Sequence, residues 1–374
     1  MLPEDESISS LHLNTARSWR GGERQTYLLV EGLHRRGHRA ALVCPPDSPL
    51  AQKAKANQIP VFEIPLRGEL DLPSVIQLRK LIERWNPQIL QLHTAHAHTI
   101  GLLATIGKGS KPGVIVQRRV DFSIYRSGTP GLTRFKYQYG VDRYVAISRK
   151  IAAVLQNDGI AQDRIRVVHS GVPPLPAPKQ TSQQLRDHHK IGEDAPLLGC
   201  IGALTGHKGH RHLIDAMPLL RKRTPAAQLV LIGQGDLDEQ IKQQIAGHKL
   251  QDRVHLVGFQ EDVSSWYQAL DLYIHPSVEE GLGTSILDAL GVGIPIIASA
   301  VGGIPEAIED GVTGRLVPPA NPTALASMID ELLDNSDQTN DMTNTGKKRV
   351  RDCFSDDAMV EGNLQVHRQL LQQQ

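Results

Sequence analysis

The chain has 374 residues, of which 40% are hydrophobic, 22% charged and only 4% aromatic, and its 41 Lys and Arg stand against 40 Asp and Glu. This composition excludes a disordered, collagenous or disulfide-scaffold chain, and a length beyond about 250–300 residues points to two domains. Cys44, Cys200 and Cys353 form no C-x-x-C pair and leave one over in any pairing, so buried, inert thiols in a reducing compartment are expected.

The first residues, MLPEDESISS, are acidic and lack the charged-then-apolar layout of a signal peptide. No apolar run reaches the roughly 18 residues that span a bilayer, because 289–304 is broken by glycines and Pro295. A cytoplasmic location is expected. Strands are predicted at 10–13, 40–44, 60–64, 89–92, 114–116, 144–147 and 165–172, with amphipathic helices such as 27–36 and 75–85 between them. The segment PPLPAPKQTSQQ, proline-rich and then polar, reads as a linker without regular structure. The pattern then restarts, with strands at 197–201, 228–232, 254–257, 272–274 and 295–298. Alternation of this kind implies an α/β fold of two Rossmann-like, doubly wound parallel-sheet domains. The expected boundaries are 1–172, a linker at 173–182, 183–355, and a glutamine-rich tail at 356–374 that forms a C-terminal packing helix, most helix-compatible over 362–374.

Residues 1–172 contain 24 Lys and Arg against 14 Asp and Glu, a net +10, which leaves −9 for the remainder. A basic first domain attracts an anionic partner: a phosphorylated acceptor, an anionic membrane surface or nucleic acid. Nucleic acid is the weakest of these, because the basic residues are spread over βαβ surfaces without an aromatic stacking motif or a reading helix.

Residues 273–318 are the most informative chemically. A strand leads into Pro276 and Ser277, then an acidic turn punctuated by Gly281 and Gly283, then a helix opening near Gly283. The first-turn amides of that helix, at Thr284 and Ser285, offer a site for anionic oxygens such as a diphosphate, and the glycines allow close approach. Glu280 precedes the helix as a cap or an acceptor of hydroxyl hydrogen bonds. Asp288 lies inside an otherwise apolar helix, as a ligand contact or a solvent-facing residue.

This stretch resembles the donor-site signature of the retaining GT-B glycosyltransferases of family 4 (group 1). Pro276-Ser277, Glu280-Gly281-Leu282-Gly283, Leu287-Asp288-Ala289, Gly293-Ile294-Pro295, Gly302-Gly303-Ile304-Pro305-Glu306 and Asp310-Gly311 carry the likeness. The resemblance implies that Glu280 contacts the donor sugar and Asp288, where the family has Glu, holds the ribose. Further segments resemble the family less specifically. Lys208, after Gly206, falls where a cation neutralises the donor diphosphate, while Ala203 stands where the family carries Arg. Gly233 lies in a strand-end G-x-G, and Gly258 and Phe259 where the backbone faces the base. Gly21 and Gly22 match a glycine loop of the first domain that reaches the donor phosphates. Arg119 takes the place of a catalytic-site histidine; a guanidinium cannot act as a base but stabilises a departing diphosphate or binds an anionic acceptor. His93, Arg118 and Asp121 are acceptor-side candidates. His93, His96 and His98 cluster without an acidic or thiolate partner set, and no metal or other cofactor is expected.

The resemblance implies transfer of a hexose or related sugar from a nucleotide diphosphate sugar, with retention, in the cleft between two domains. Its acceptor would be an anionic glycan or lipid-linked molecule of the cell envelope, such as lipopolysaccharide core, met on the inner face of the plasma membrane. An epimerase or hydrolase of the same fold, and a non-catalytic nucleotide-sugar-binding protein, are the alternatives.

Overall fold

The computed structural model describes residues 6–69, 71–107, 111–126, 130–220, 224, 226–334 and 336–373. The first half of the N-terminal acidic stretch and the last residue of the tail therefore lie outside the described residues. The chain forms two compact units, Met1–Gly171 with Asp356–Gln374, and Val172–Ser355.

The first unit is built on seven parallel strands: β1 (Ser9–Leu13), β2 (Arg39–Cys44), β3 (Val61–Glu63), β4 (Ile89–Leu92), β5 (Gly113–Arg118), β6 (Arg143–Ala146) and β7 (Ile165–Val167). Their order is β3-β2-β1-β4-β5-β6-β7. The central strands β4 and β5 are buried along their whole length, which is why they read as mainly apolar runs rather than alternating ones. Right-handed crossovers place the helices Gly21–Arg35 and Pro49–Ala56 on one face. Leu72–Trp85, Ala95–Thr105 and Pro130–Gln138 fall on the other.

The second unit repeats the plan with β8 (Leu197–Ile201), β9 (Gln228–Ile232), β10 (Val254–Gly258), β11 (Leu272–His275), β12 (Ile296–Ser299) and β13 (Arg315–Val317), in the order β10-β9-β8-β11-β12-β13. Two Rossmann-like sheets result. In each, the order reverses at one point, between β1 and β4 and between β8 and β11, and the carboxyl ends of the strands at such a point are where open α/β sheets hold their ligands.

Three sequence readings are corrected. Ser182, Gln183 and Gln184 are not linker but open the helix Ser182–His189, because the Thr181 hydroxyl accepts from the Gln184 amide and the Gln184 side chain answers to the Thr181 amide. Residues 315–317 add an edge strand too short to show a periodicity. The tail helix expected over 356–374 runs Asp356–Leu371 and packs on the first unit: Val360 fills the space beside Gly32, where an added Cβ would lie 2.5 Å from Val360 Cγ2. Finally, Cys44 and Cys200 are buried free thiols, but Cys353 is exposed at the end of its helix.

Candidate functional site

In the second unit the loops after β8 and β11 meet backbone to backbone at the reversal point. The β8 loop ends in a tight turn, Gly206–Lys208, closed by Gly209 at φ 70°. A Cβ on Gly209 would lie 2.0 Å from the Pro276 carbonyl oxygen, so only glycine allows the two loops to touch. The Val278 amide completes the join by donating to the His207 carbonyl at 2.8 Å.

This packing brings together side chains 72 positions apart. Lys208 Nζ donates to Glu280 Oε2 at 2.5 Å, and the same oxygen accepts from His275 Nε2 at 2.9 Å and from Ser277 Oγ at 3.3 Å. Burial alone would push the Glu280 carboxyl up, but the Lys208 charge and the His275 hydrogen bond outweigh it and hold the group well below the usual carboxylate range. Burial lowers His275, so the imidazole is neutral at pH 7. An ionised Glu280 only accepts, so Nε2 of His275 carries the proton and Nδ1 accepts, with the Tyr273 hydroxyl 3.2 Å away. Burial raises the Tyr273 phenol far above its ordinary value, which leaves it a donor. His210, at the start of the following helix, is also buried; burial takes it down to about 4, and neither ring nitrogen has a hydrogen-bond partner among the described residues.

The other expected residues of this unit lie along the same carboxyl edge or on the helix that leaves it. Gly283, at φ 83°, is the N-cap of helix Thr284–Val292, so Thr284 and Ser285 supply the first-turn amides beside Glu280. Gly281 follows the Glu280 carbonyl, which accepts from the Gly303 amide at 3.3 Å. Asp288 is buried, not solvent-facing, and its field contributes to raising Tyr273. Gly233 packs on the β8 loop, where a Cβ would lie 1.9 Å from the Gly202 carbonyl oxygen, and its amide donates to the Gly258 carbonyl at 2.8 Å. Around Gly206 and Gly258 an added Cβ meets nothing within 4 Å, and Phe259 is exposed.

The first unit carries a second cluster at the carboxyl ends of β1, β4 and β5. Arg119 donates twice to His93, through Nη1 to its carbonyl at 3.1 Å and through Nη2 to Nδ1 at 3.0 Å. His93 Nδ1 is therefore the acceptor and Nε2 bears the proton, which is shared with His12 Nδ1 at 3.1 Å; His12 Nε2 then donates to Ser10 Oγ at 3.0 Å. Burial and the Arg119 charge keep His93 neutral, and His12 is held low mainly by burial. Burial lowers Arg119 to about 10, against the raising influence of Glu23, so it remains a cation at neutral pH. The glycine loop reaches the same place: Gly21 and Gly22 open helix Gly21–Arg35, and a Cβ on Gly22 would be 3.9 Å from Arg119 Cδ.

Other first-domain candidates separate. Arg118 is buried and turned to Phe122, donating to its carbonyl at 2.5 Å, while Asp121 is half-buried. The three histidines after β4 diverge: His93 joins the cluster, His96 is exposed, and His98 is buried against Tyr137. Among the described residues no group of three or more His, Cys, Asp or Glu could hold a metal ion. Sequence reasoning missed His275, named Ser277 only as part of the strand-end motif, and missed His12, whose place in β1 looks like ordinary core.

What the two clusters supply is a pre-ordered cation and carboxylate beside a helix start, and a fixed guanidinium beside a glycine-opened helix. Residues 181–349 match the family described as Glycosyl transferases group 1, and residues 19–174 match Glycosyltransferase Family 4. The chain belongs to the family 4 glycosyltransferases. Among its relatives is the uncharacterized glycosyltransferase MJ1607 of Methanocaldococcus jannaschii, 29% identical over 213 residues that make up 55% of this chain and 54% of the relative. The chain spans about half the length, or less, of this and other curated family members that it matches. Among solved structures, a glycosyltransferase from Rickettsia africae ESF-5 superposes with a TM-score of 0.85 at 22% identity, covering 99% of this chain and 100% of the other. Anabaena Alr3699/HepE in complex with UDP gives 0.83 at 21%, covering 97% and 99%. These likenesses carry the fold, GT-B with its two Rossmann-like domains.

Proposed function

We propose that this family member transfers a hexose or related sugar from a nucleotide diphosphate sugar to a glycan or lipid-linked acceptor, with retention at the anomeric carbon. The pathway is assembly of a cell-envelope polysaccharide or lipopolysaccharide at the cytoplasmic side of the membrane. The observation that carries the reading is the Lys208–Glu280 pair at the β8/β11 reversal point, beside the amides of Thr284 and Ser285. The fold shared with a UDP-bound glycosyltransferase supports a nucleotide-linked donor.

In this reading Lys208 and the helix-start amides stabilise the charge on the departing diphosphate, and Glu280, locked by His275 and Ser277, orients the sugar hydroxyls. The bond from the anomeric carbon to the phosphate oxygen breaks, and the acceptor oxygen bonds to that carbon on the same face. The acceptor proton passes to the leaving phosphate. Asp288 serves the ribose, Gly233, Gly258 and Phe259 the base, and the Arg119–His93 cluster with Asp121 an anionic acceptor. No step calls for a metal.

Thermal unfolding with uridine, guanosine and adenosine diphosphate sugars identifies the donor, because ligand binding raises the transition by mass action. Radiolabelled transfer into membrane extract then measures the reaction. Lys208→Ala is expected to lose roughly tenfold to a hundredfold in transfer, the worth of one charge-assisted hydrogen bond of about 1.5–3 kcal/mol. Near-normal transfer by both Lys208→Ala and Glu280→Gln overturns the assignment, and nucleotide release that needs no acceptor reassigns the protein as a hydrolase or epimerase.

A further inference from the structure

Side chains two apart along a strand share a face, and one face of the first sheet changes character along its length. Under helices Gly21–Arg35 and Asp356–Leu371 it begins apolar, with Ile8 just ahead of β1, Ile89 in β4 and Ile115 in β5 in one core cluster. Toward the carboxyl edge the same face turns polar: Ser10 and His12 on β1, Gln91 and then His93 on β4 and past its end, Gln117 and then Arg119 on β5 and past its end. His12 stands opposite Gln91 in the register. Apart from Arg119, each of these six side chains is at most 8% exposed. Polar groups in such a place are costly unless their hydrogen bonds are made.

The tail helix makes them. Its buried stripe, which includes Met359, Val360, Leu364 and Leu370, is apolar except for Asn363 and His367, one turn apart. Asn363 Nδ2 donates to the Met359 carbonyl at 2.9 Å, which leaves Asn363 Oδ1 as the acceptor. Gln91 Nε2 donates to that oxygen and to Gln117 Oε1, both at 3.0 Å. Gln91 Oε1 therefore faces His367 Nε2 at 2.8 Å, and that nitrogen carries the proton. The network stops short of Arg119 and His93 by two residues on each strand. Around it the His367 ring lies 6.3 Å from the His12 ring between centroids, and the His12 ring 5.3 Å from that of His93. Asn363 also lines one cavity together with Gln117 and Arg119.

We propose that Asn363 and His367 are positioning residues: by fixing the Gln91 and Gln117 amides they set His93 and Arg119 at the ends of the same two strands. This role rests on the acceptor reading of the Arg119–His93 cluster above. Packing by itself does not call for the polar set, since isoleucines fill the same face earlier on these strands. The polar patch is confined to the strand ends that carry the cluster, and both of its fixed amides are on β4 and β5.

The test is a kinetic cycle on the full-length protein with His367→Leu, which keeps the bulk but removes the donor, and His367→Gln, whose amide reaches about as far as Nε2. At saturating donor, His367→Leu is expected to lower transfer into membrane extract about tenfold, with the donor KM within about twofold of wild type. His367→Gln is expected to restore most of the rate. On an Arg119→Lys background His367→Leu should cost less than about twofold more, because it acts through that guanidinium. A residue that only stabilises the fold lowers the unfolding temperature and leaves the rate unchanged, or costs the same factor in both backgrounds; either result overturns the proposal. Asn363→Leu is expected to behave as His367→Leu does, and decides the matter if that variant fails to fold. Diethylpyrocarbonate labelling read by mass spectrometry follows the cluster without a transfer assay. His12 and His93 are expected to react several-fold faster in His367→Leu, while His98, buried against Tyr137, stays protected. Unchanged labelling of His93 overturns the positioning role. A wild type that transfers nothing overturns only the acceptor reading, and the labelling then decides the positioning.

Discussion

Lys208→Met, combined with Glu280→Gln in a double-mutant cycle, tests whether the pair at the β8/β11 reversal point is one coupled unit. The Glu280 side chain is 13% exposed and that of Lys208 19%, so removing the ammonium strands a mostly buried carboxylate. Breaking a buried pair in this way costs about 3 kcal/mol, and for a unit of this size each kcal/mol lowers the transition by about 2–4 °C. Lys208→Met is thus expected to unfold roughly 6–12 °C lower at pH 7. Glu280→Gln keeps the His275 and Ser277 hydrogen bonds on a neutral acceptor and is expected to cost about 1–2 kcal/mol. In the double variant nothing charged is stranded, and its loss should be smaller than the sum of the singles by about 2–3 kcal/mol. The pH dependence follows from the direction of the Glu280 shift. In the wild type the group is depressed from its ordinary value of 4.5, so its stabilisation is present above that value and is lost as the pH falls below it. In Lys208→Met, burial becomes the dominant influence and raises the group, so protonation relieves the variant. Both effects close the gap between wild type and Lys208→Met from pH 7 to pH 4. Calorimetry on the four proteins reads all of this. Losses that add within about 0.5 kcal/mol, or a gap that is unchanged at pH 4, refute the coupling.

Gly209→Ala, which would drive a Cβ into the Pro276 carbonyl at φ 70°, is expected to abolish donor-induced thermal shifts and to lower the melting temperature more than Gly37→Ala. Gly37 has a similar φ of 81° but open space around it, and its substitution should cost about 1 kcal/mol. Arg119→Lys is expected to lose about a hundredfold in transfer rate at saturating donor, because an ammonium cannot make both hydrogen bonds to His93; wild-type rates would refute the role of that geometry. His12, His93, His98 and His367 are all lowered by burial, so their stabilisation is present above about pH 6.5 and lost as the pH falls. Unfolding of the first unit at pH 5 should therefore take up several protons, read as the slope of unfolding free energy against pH, and uptake below one proton contradicts the buried neutral state of these rings.

The alternation of apolar strands and amphipathic helices was enough to place twelve of thirteen strands, because strands buried on both faces must be continuously apolar. The exception, Arg315–Val317, is a three-residue edge strand with no periodicity to read. The linker misreading at Ser182 arose because a capping box is a local hydrogen-bond device that polar composition conceals. Glu280 and the Gly283 turn were legible because a strand-end loop opening a helix has few chemical uses, and Lys208 was legible through the family resemblance. His275 and His12 were not, because a histidine inside a strand carries the same sequence signal whether it fills the core or orders a charge.

What the sequence determined by itself was therefore local and periodic: the two α/β units, the glycines that must turn, and the acid and cation in the loops after β11 and β8. The tertiary structure alone decided which of these meet. It ties Lys208 to Glu280 across 72 residues through the contact of Gly209 with Pro276. It sets Arg119 on His93 and His93 on His12, and returns the tail helix to the first unit, where Asp357 meets Arg35 and Arg36. Coupling of this kind depends on distances of a few ångströms, and chain separation carries no record of them.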